Sequence, residues 1–214
     1  MHGLDWFVFC VADVQTGFGP FVSVYLTTQK WTQFDIGLVL SVAGLVALFA
    51  QVPGGMLVDA ARSERRVAGI AITVIALSAL TYAAWPIFPA ILTAATFHAA
   101  ASCVLGPAIA AISLGLVGHS GIGERLGRNA RFASIGNGFA AALMGACGYF
   151  FAARSVFIVT ALLGIVGAVV ATFLGQAMGI YAAGQSAGFI ASVIGAIVVL
   201  LLYGLVTRNR RTVL

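Results

Sequence analysis

The sequence predicts an all-α, polytopic helical membrane protein, and three observations carry that reading. Of 214 residues, 61% are hydrophobic and only 8% are charged, with a mean hydropathy of +1.07. Soluble domains carry about 25% charged residues, so this composition cannot cover a water-exposed surface of ordinary polarity. The apolar residues fall in runs long enough to cross a bilayer, which takes about 20 residues at about 1.5 Å each. The runs are separated by short polar breaks, and no strand-type alternation competes with them.

Seven runs can be traced: 4–27, 35–58, 67–85, 90–117, 132–151, 155–175 and 186–206. The first is polar for its kind, with Asp13, Gln15 and Thr16 near its middle. The second holds Gly37, Gly44, Gln51, Pro53 and the pair Gly54-Gly55. The fourth holds His98, Cys103 and Gly106-Pro107, and the fifth Gly136, Asn137, Gly138, Gly145 and Gly148. Twenty-six glycines suit helices that approach without side-chain obstruction.

The breaks set orientation. Arg62, Arg65 and Arg66 follow the second run, and Arg125, Arg128 and Arg131 follow the fourth. The alternate breaks hold only Lys30, no basic residue between Trp85 and Pro89, and Arg154. Arginine-rich loops stay in the cytoplasm, which places breaks 59–66 and 118–131 and the N-terminus there. The tail conflicts: by parity Arg208, Arg210 and Arg211 land outside. The net charge of +5 follows from orientation and lipid contact, and no nucleic-acid partner is expected.

Cys10, Cys103 and Cys147 all sit inside apolar runs without metal-ligand spacing, and read as small packing residues. The N-terminus lacks a basic region, and Asp5 and Asp13 interrupt it, so the first run reads as a retained helix rather than a cleaved signal. No nucleophile triad, phosphate loop, dinucleotide fingerprint or metal cluster is present, so no enzyme activity, catalytic residue, metal or cofactor is expected.

Four residues are candidates for a substrate or proton pathway. A carboxylate inside a span costs about 2.5–3.5 kcal/mol on insertion scales, so Asp13 either faces a cavity or hydrates near the interface. Gln15 is close by but off its face, since helix faces recur at three and four residues. His98 could relay protons or be a packed, hydrogen-bonded side chain, with packing favoured. Asn137 could bond a substrate or join helices, with joining favoured.

Gly55, Leu57, Asp59 and the pair Arg65-Arg66, between the second and third runs, resemble the signature between helices two and three of the major facilitator superfamily. Ala60 stands where that signature has Arg, and Arg62 near its Gly. The stretch Gly127-Arg128-Asn129-Ala130-Arg131-Phe132-Ala133-Ser134-Ile135-Gly136-Asn137 is similar to the start of helix five in bacterial permeases of that superfamily. Gly145 and Gly148 weakly resemble the antiporter signature but lack its Pro. The resemblance covers residues 1–162, an N-terminal six-helix half whose sixth helix continues to about 175. It implies a multi-pass protein of the bacterial inner membrane, a secondary transporter of an unidentified small molecule. Its loop at Asp59 and Arg65-Arg66 would stabilise one gating state by charge contacts between helices.

From residue 163 to 214 a second resemblance begins. Gly164-Ile165-Val166-Gly167-Ala168-Val169-Val170, Gly188-Phe189-Ile190, Val193-Ile194-Gly195-Ala196-Ile197-Val198, Tyr203 and the basic tail are similar to the transglycosylase-associated family of stress-response membrane proteins. The expected fold is therefore a six-helix half of a facilitator-type bundle plus one further C-terminal transmembrane helix. Six helices supply one wall of a permease cavity, so either a homodimer or a separate C-terminal half is expected to complete it. The alternative is a non-transporting stress-response membrane protein, or a truncated or fused permease remnant.

Overall fold

A computed structural model describes residues 2–16, 19–150 and 153–164. Described are α1 (His2–Thr16), α2 (Gly19–Thr28), α3 (Gln33–Ala60), α4 (Glu64–Ala84), α5 (Phe88–Phe150) and α6 (Ser155–Gly164). Every described element is helical, which agrees with the expected fold class. The predicted seventh run, the end of the sixth and the basic tail lie outside the described residues.

Helix α5 has 63 residues, about 95 Å at 1.5 Å each, three times the thickness of a bilayer core. It is two helices. Gly118 takes φ 68° and ψ −178°, a left-handed extended conformation open to glycine. The chain turns back there, because the Asn129 side chain donates to the Ser113 hydroxyl at 2.8 Å. A straight helix would hold residues sixteen apart about 24 Å from each other. We call the two parts the descending arm, 88–117, and the ascending arm, 119–150.

This corrects the expected loop at 118–131. The break is confined to the turn at Gly118, and helix resumes at residue 119. Glu124, Arg125, Leu126 and Arg128 favour helix, so the arginines mark where the bilayer ends rather than where the helix does. The same holds at 59–66. Only residues 61–63 are non-helical there, with Asp59 in the last turn of α3 and Arg65 and Arg66 in the first turn of α4.

At one end of the bundle the aromatic residues converge. The Tyr25 hydroxyl donates to the Tyr82 carbonyl at 2.9 Å, and both rings pack on Phe157 at 4.8 and 5.2 Å. These contacts join α2, α4 and α6. Nearby, Trp31 Nε1 donates to the Pro86 carbonyl at 3.3 Å and its ring stacks on Phe88. Thr32 caps α3 by accepting from the Asp35 N–H at 3.1 Å. From here α3 runs towards the opposite end, which also holds the turn at Gly118.

Helix α4 is the most enclosed of the long helices. Its alanines 68, 71, 76, 79 and 83, with Ile72 and Ile75, are buried. Helix α3 is the reverse: Leu45, Leu48, Phe49, Val52 and Met56 are exposed, an apolar face suited to lipid or another helix. Two close approaches depend on glycine. A Cβ at Gly54 would stand 3.2 Å from the Cys103 carbonyl oxygen, where α3 meets the descending arm. A Cβ at Gly136 would stand 3.0 and 3.1 Å from the Phe9 carbonyl carbon and Cα, and nearer still to its oxygen. Helix α1 and the ascending arm therefore touch backbone to backbone.

Candidate functional site

Helix α3 and the descending arm enclose an open cleft of about 450 Å³. Its low walls are Ala43, Gly44, Ala47, Ala99, Gly106 and Pro107, and its polar groups are Gln51, His98, Ser102 and Cys103. Small side chains on both helices keep the space open. His98 and Ser102 are four apart and share a face, with Nε2 and Oγ 3.5 Å apart. The Cys103 thiol donates to the Ala47 carbonyl at 3.4 Å. Gln51 is nine residues from the end of α3 and His98 ten from the start of its arm, about 14 and 15 Å. That is close to the midplane of an apolar core about 30 Å thick.

The sequence-predicted candidates divide. His98 is half-buried in this cleft. Asn137 follows Gly136 at the contact with α1 and does not line the cleft. Asp13 and Gln15 are on α1, and their side chains lie outside the described residues. Gly55 and Leu57 are on the last turns of α3. Asp59 is exposed and makes no ion pair among the described residues; Arg66 is exposed and Arg65 half-buried.

A charge cluster that the sequence did not reveal lies at the end of the bundle holding Gly118. Asp5, 1% exposed, receives Arg125 at 2.7 Å and Arg128 at 2.6 Å. Arg125 also donates to the Asn129 side-chain oxygen at 2.9 and 2.6 Å, and Asn129 donates on to Ser113. Ser113 closes the chain on the Ile109 carbonyl at 2.7 Å. One polar chain thus binds α1 to both arms. The hydrogen bonds from Arg128 to Asp5, reinforced by their opposite charges, hold Arg128 above the ordinary arginine range. Burial of one carboxylate against two guanidinium groups is tolerable because its oxygens are satisfied. The available signal was an acid at the start of an apolar run, in a chain with six acids. The partners are 120 and 123 residues away, so spacing could not name them.

This end joins the N-terminus of α1 to the turn between the arms, as the arginine parity requires. The sequence pattern of the Major Facilitator Superfamily matches residues 6–175. The chain belongs to that superfamily. It is an integral membrane protein, and the superfamily is one of transporters rather than an enzyme class. A second pattern, that of the transglycosylase associated protein family, matches residues 161–208. Two relatives are the uncharacterized MFS-type transporters MT2531 and Rv2456c of Mycobacterium tuberculosis strains CDC 1551 / Oshkosh and ATCC 25618 / H37Rv. Each is 38% identical over 164 residues, covering 75% of this chain and 38% of the relative. The chain thus spans well under half the length of those facilitators.

Proposed function

We propose that this chain is the N-terminal half of a secondary transporter in a bacterial inner membrane. Residues 1–162 form the facilitator unit, and 163–214 a segment of transglycosylase-associated type. The observation that carries the reading is a polar cleft near mid-depth in a chain of the superfamily. Polar groups at that depth are costly against lipid and are retained where they meet a substrate, water or another helix. The cleft is open, so it offers one wall. A second copy of the chain, or a separate C-terminal half, supplies the other. Asp13, Gln15, His98 and Asn137 are the candidates for a substrate or proton pathway, and of these His98 lines the cleft. Asp59, Arg65 and Arg66, at the turn between α3 and α4, are the candidates for charge contacts between helices that stabilise one gating state.

The test is proton flux in proteoliposomes loaded with a pH-sensitive dye, with small solutes added outside. Solute-dependent flux that falls in Asp13→Asn or His98→Gln supports the reading. Flux that neither change alters removes both residues from the pathway.

A further inference from the structure

Two outward faces of this chain match each other in spacing and in size. On α3, Ser41, Gly44, Leu48, Gln51 and Gly55 recur at intervals of three and four residues, along one side of the helix. The first four are exposed, and a Cβ added at Gly44 or Gly55 would meet nothing within 4 Å. On the ascending arm, Ile135, Phe139, Ala142, Ala146 and Tyr149 recur at four and three residues and are all exposed. Helix α3 runs towards the end that holds Gly118 and the ascending arm runs away from it, so their directions are opposite. The apolar run of α3 ends at 58 and that of the arm begins at 132, which sets a common depth for the two helices. At that register Gly55 is level with Ile135, Leu48 with Ala142, Gly44 with Ala146 and Ser41 with Tyr149. Ile135 is 61%, Leu48 62% and Tyr149 85% exposed, and each is level with a residue no larger than serine.

We infer that these faces join two copies of this chain, α3 of each copy packing against the ascending arm of the other. Exposed leucine and isoleucine alone would read as lipid contact. In a bilayer, however, helices associate by close packing rather than by expulsion of water, so a notch opposite each large side chain is what selects a partner. Each face is the complement of the other, and the described residues cover neither. The arginine-rich breaks give both copies one orientation, so α3 meets its partner's arm antiparallel, as the register requires. A two-fold axis along the bilayer normal makes the contact twice and closes the pair. At the remaining level the Gln51 amide lies against the Phe139 ring. Gly44 and Gln51 also line the cleft, so the seam runs along its rim. The inference rests on the reading that a second copy supplies the other wall, and it names the surface that joins them.

Disulfide crosslinking in membranes tests it. Cys10→Ala, Cys103→Ala and Cys147→Ala give a full-length background without thiols. Leu48→Cys combined with Ala142→Cys is oxidised with copper phenanthroline, and covalent dimer is followed on non-reducing gels. The control is Phe49→Cys with Ala142→Cys, since Phe49 is exposed at the same depth but lies off the seam. The seam pair is expected to form dimer at least tenfold faster than this control and than either single cysteine. Gly55→Leu, which fills the notch for Ile135, is expected to slow the seam pair at least threefold. Gly37→Leu, also in open space but level with residue 153 beyond the arm, should leave the rate unchanged. Equal rates for the seam pair and the control overturn the inference. Leu48→Cys alone matching the pair also overturns it, in favour of α3 meeting α3. Two-step photobleaching of a tagged chain whose seam pair forms no covalent dimer places the contact elsewhere, which sinks the seam and leaves the two-copy reading standing. One-step bleaching with no covalent dimer sinks both, and leaves lipid, residues 165–214 or a separate half as the cover.

Discussion

Gly136→Ala should loosen the joint between α1 and the ascending arm more than any other single methyl added to that arm. Its Cβ would lie 3.0 Å from the Phe9 carbonyl carbon and closer to the oxygen, whereas carbon atoms in contact prefer about 3.5–4.0 Å. Nothing at that point can rotate away, because the obstruction is main chain rather than the end of a side chain. The two helices must separate by roughly 0.5–1 Å to restore ordinary contact. That shift also disturbs the Phe9–Phe139 ring pair beside it, at 5.9 Å. Overpacking of this kind costs about 1–3 kcal/mol, and main-chain contact puts Gly136 at the upper end. Alanine returns up to about 1 kcal/mol of helix propensity, so Gly138→Ala, with nothing within 4 Å, is the control for that gain. The assay is reversible unfolding in mixed micelles, followed through Trp6, Trp31 and Trp85. The expected result is a stability difference of about 2–3 kcal/mol between the two variants, with Gly136→Val worse again. Equal stability of Gly136→Ala and Gly138→Ala would refute the backbone contact.

Three further outcomes follow from the structure. Asp5→Asn leaves a buried guanidinium group without its anion and should cost about 3 kcal/mol in the same assay. Arg128→Gln should cost less, because that side chain is 36% exposed, and the reverse order would contradict the cluster as described. Cysteines placed at Ser63 and Ser120 in a cysteine-free background should resist an impermeant thiol reagent in intact cells, and labelling from outside would invert the topology. Asp59→Asn should leave unfolding within about 0.5 kcal/mol of wild type, because Asp59 is exposed, while lowering solute-dependent proton flux. Unchanged flux would make Asp59 a surface group only.

Among the described residues, the apolar helices between 33 and 150 could be read from hydropathy because a bilayer imposes one length on every apolar helix. What hydropathy leaves out is which face of each helix meets protein. Helices α3 and α4 are both apolar all round, yet Leu48 and Phe49 are exposed while Ile72 and Ile75 are enclosed. Against lipid, both environments select the same side chains, so the pattern carries no azimuth. The arginine-rich stretch 118–131 was legible as a membrane boundary and misread as a loop, since charge marks the interface and says nothing about helix continuity. His98 was visible as a polar residue in a span, but its neighbour Gln51 comes from another helix and emerges only from packing. The Asp5 cluster was hidden for the same reason, its members being brought together by the turn at Gly118 rather than by sequence spacing.

We propose that this chain provides one wall of a transport pathway and works only when a second wall covers it. The direct measurement is single-molecule photobleaching of a fluorescently tagged chain in liposomes at low protein density, on the same vesicles used for proton flux. Two-step bleaching in the vesicles that carry flux is the predicted result, because a symmetric pair is the commonest way for one surface to be covered by its own copy. Solute-driven flux in vesicles that bleach in one step would contradict it.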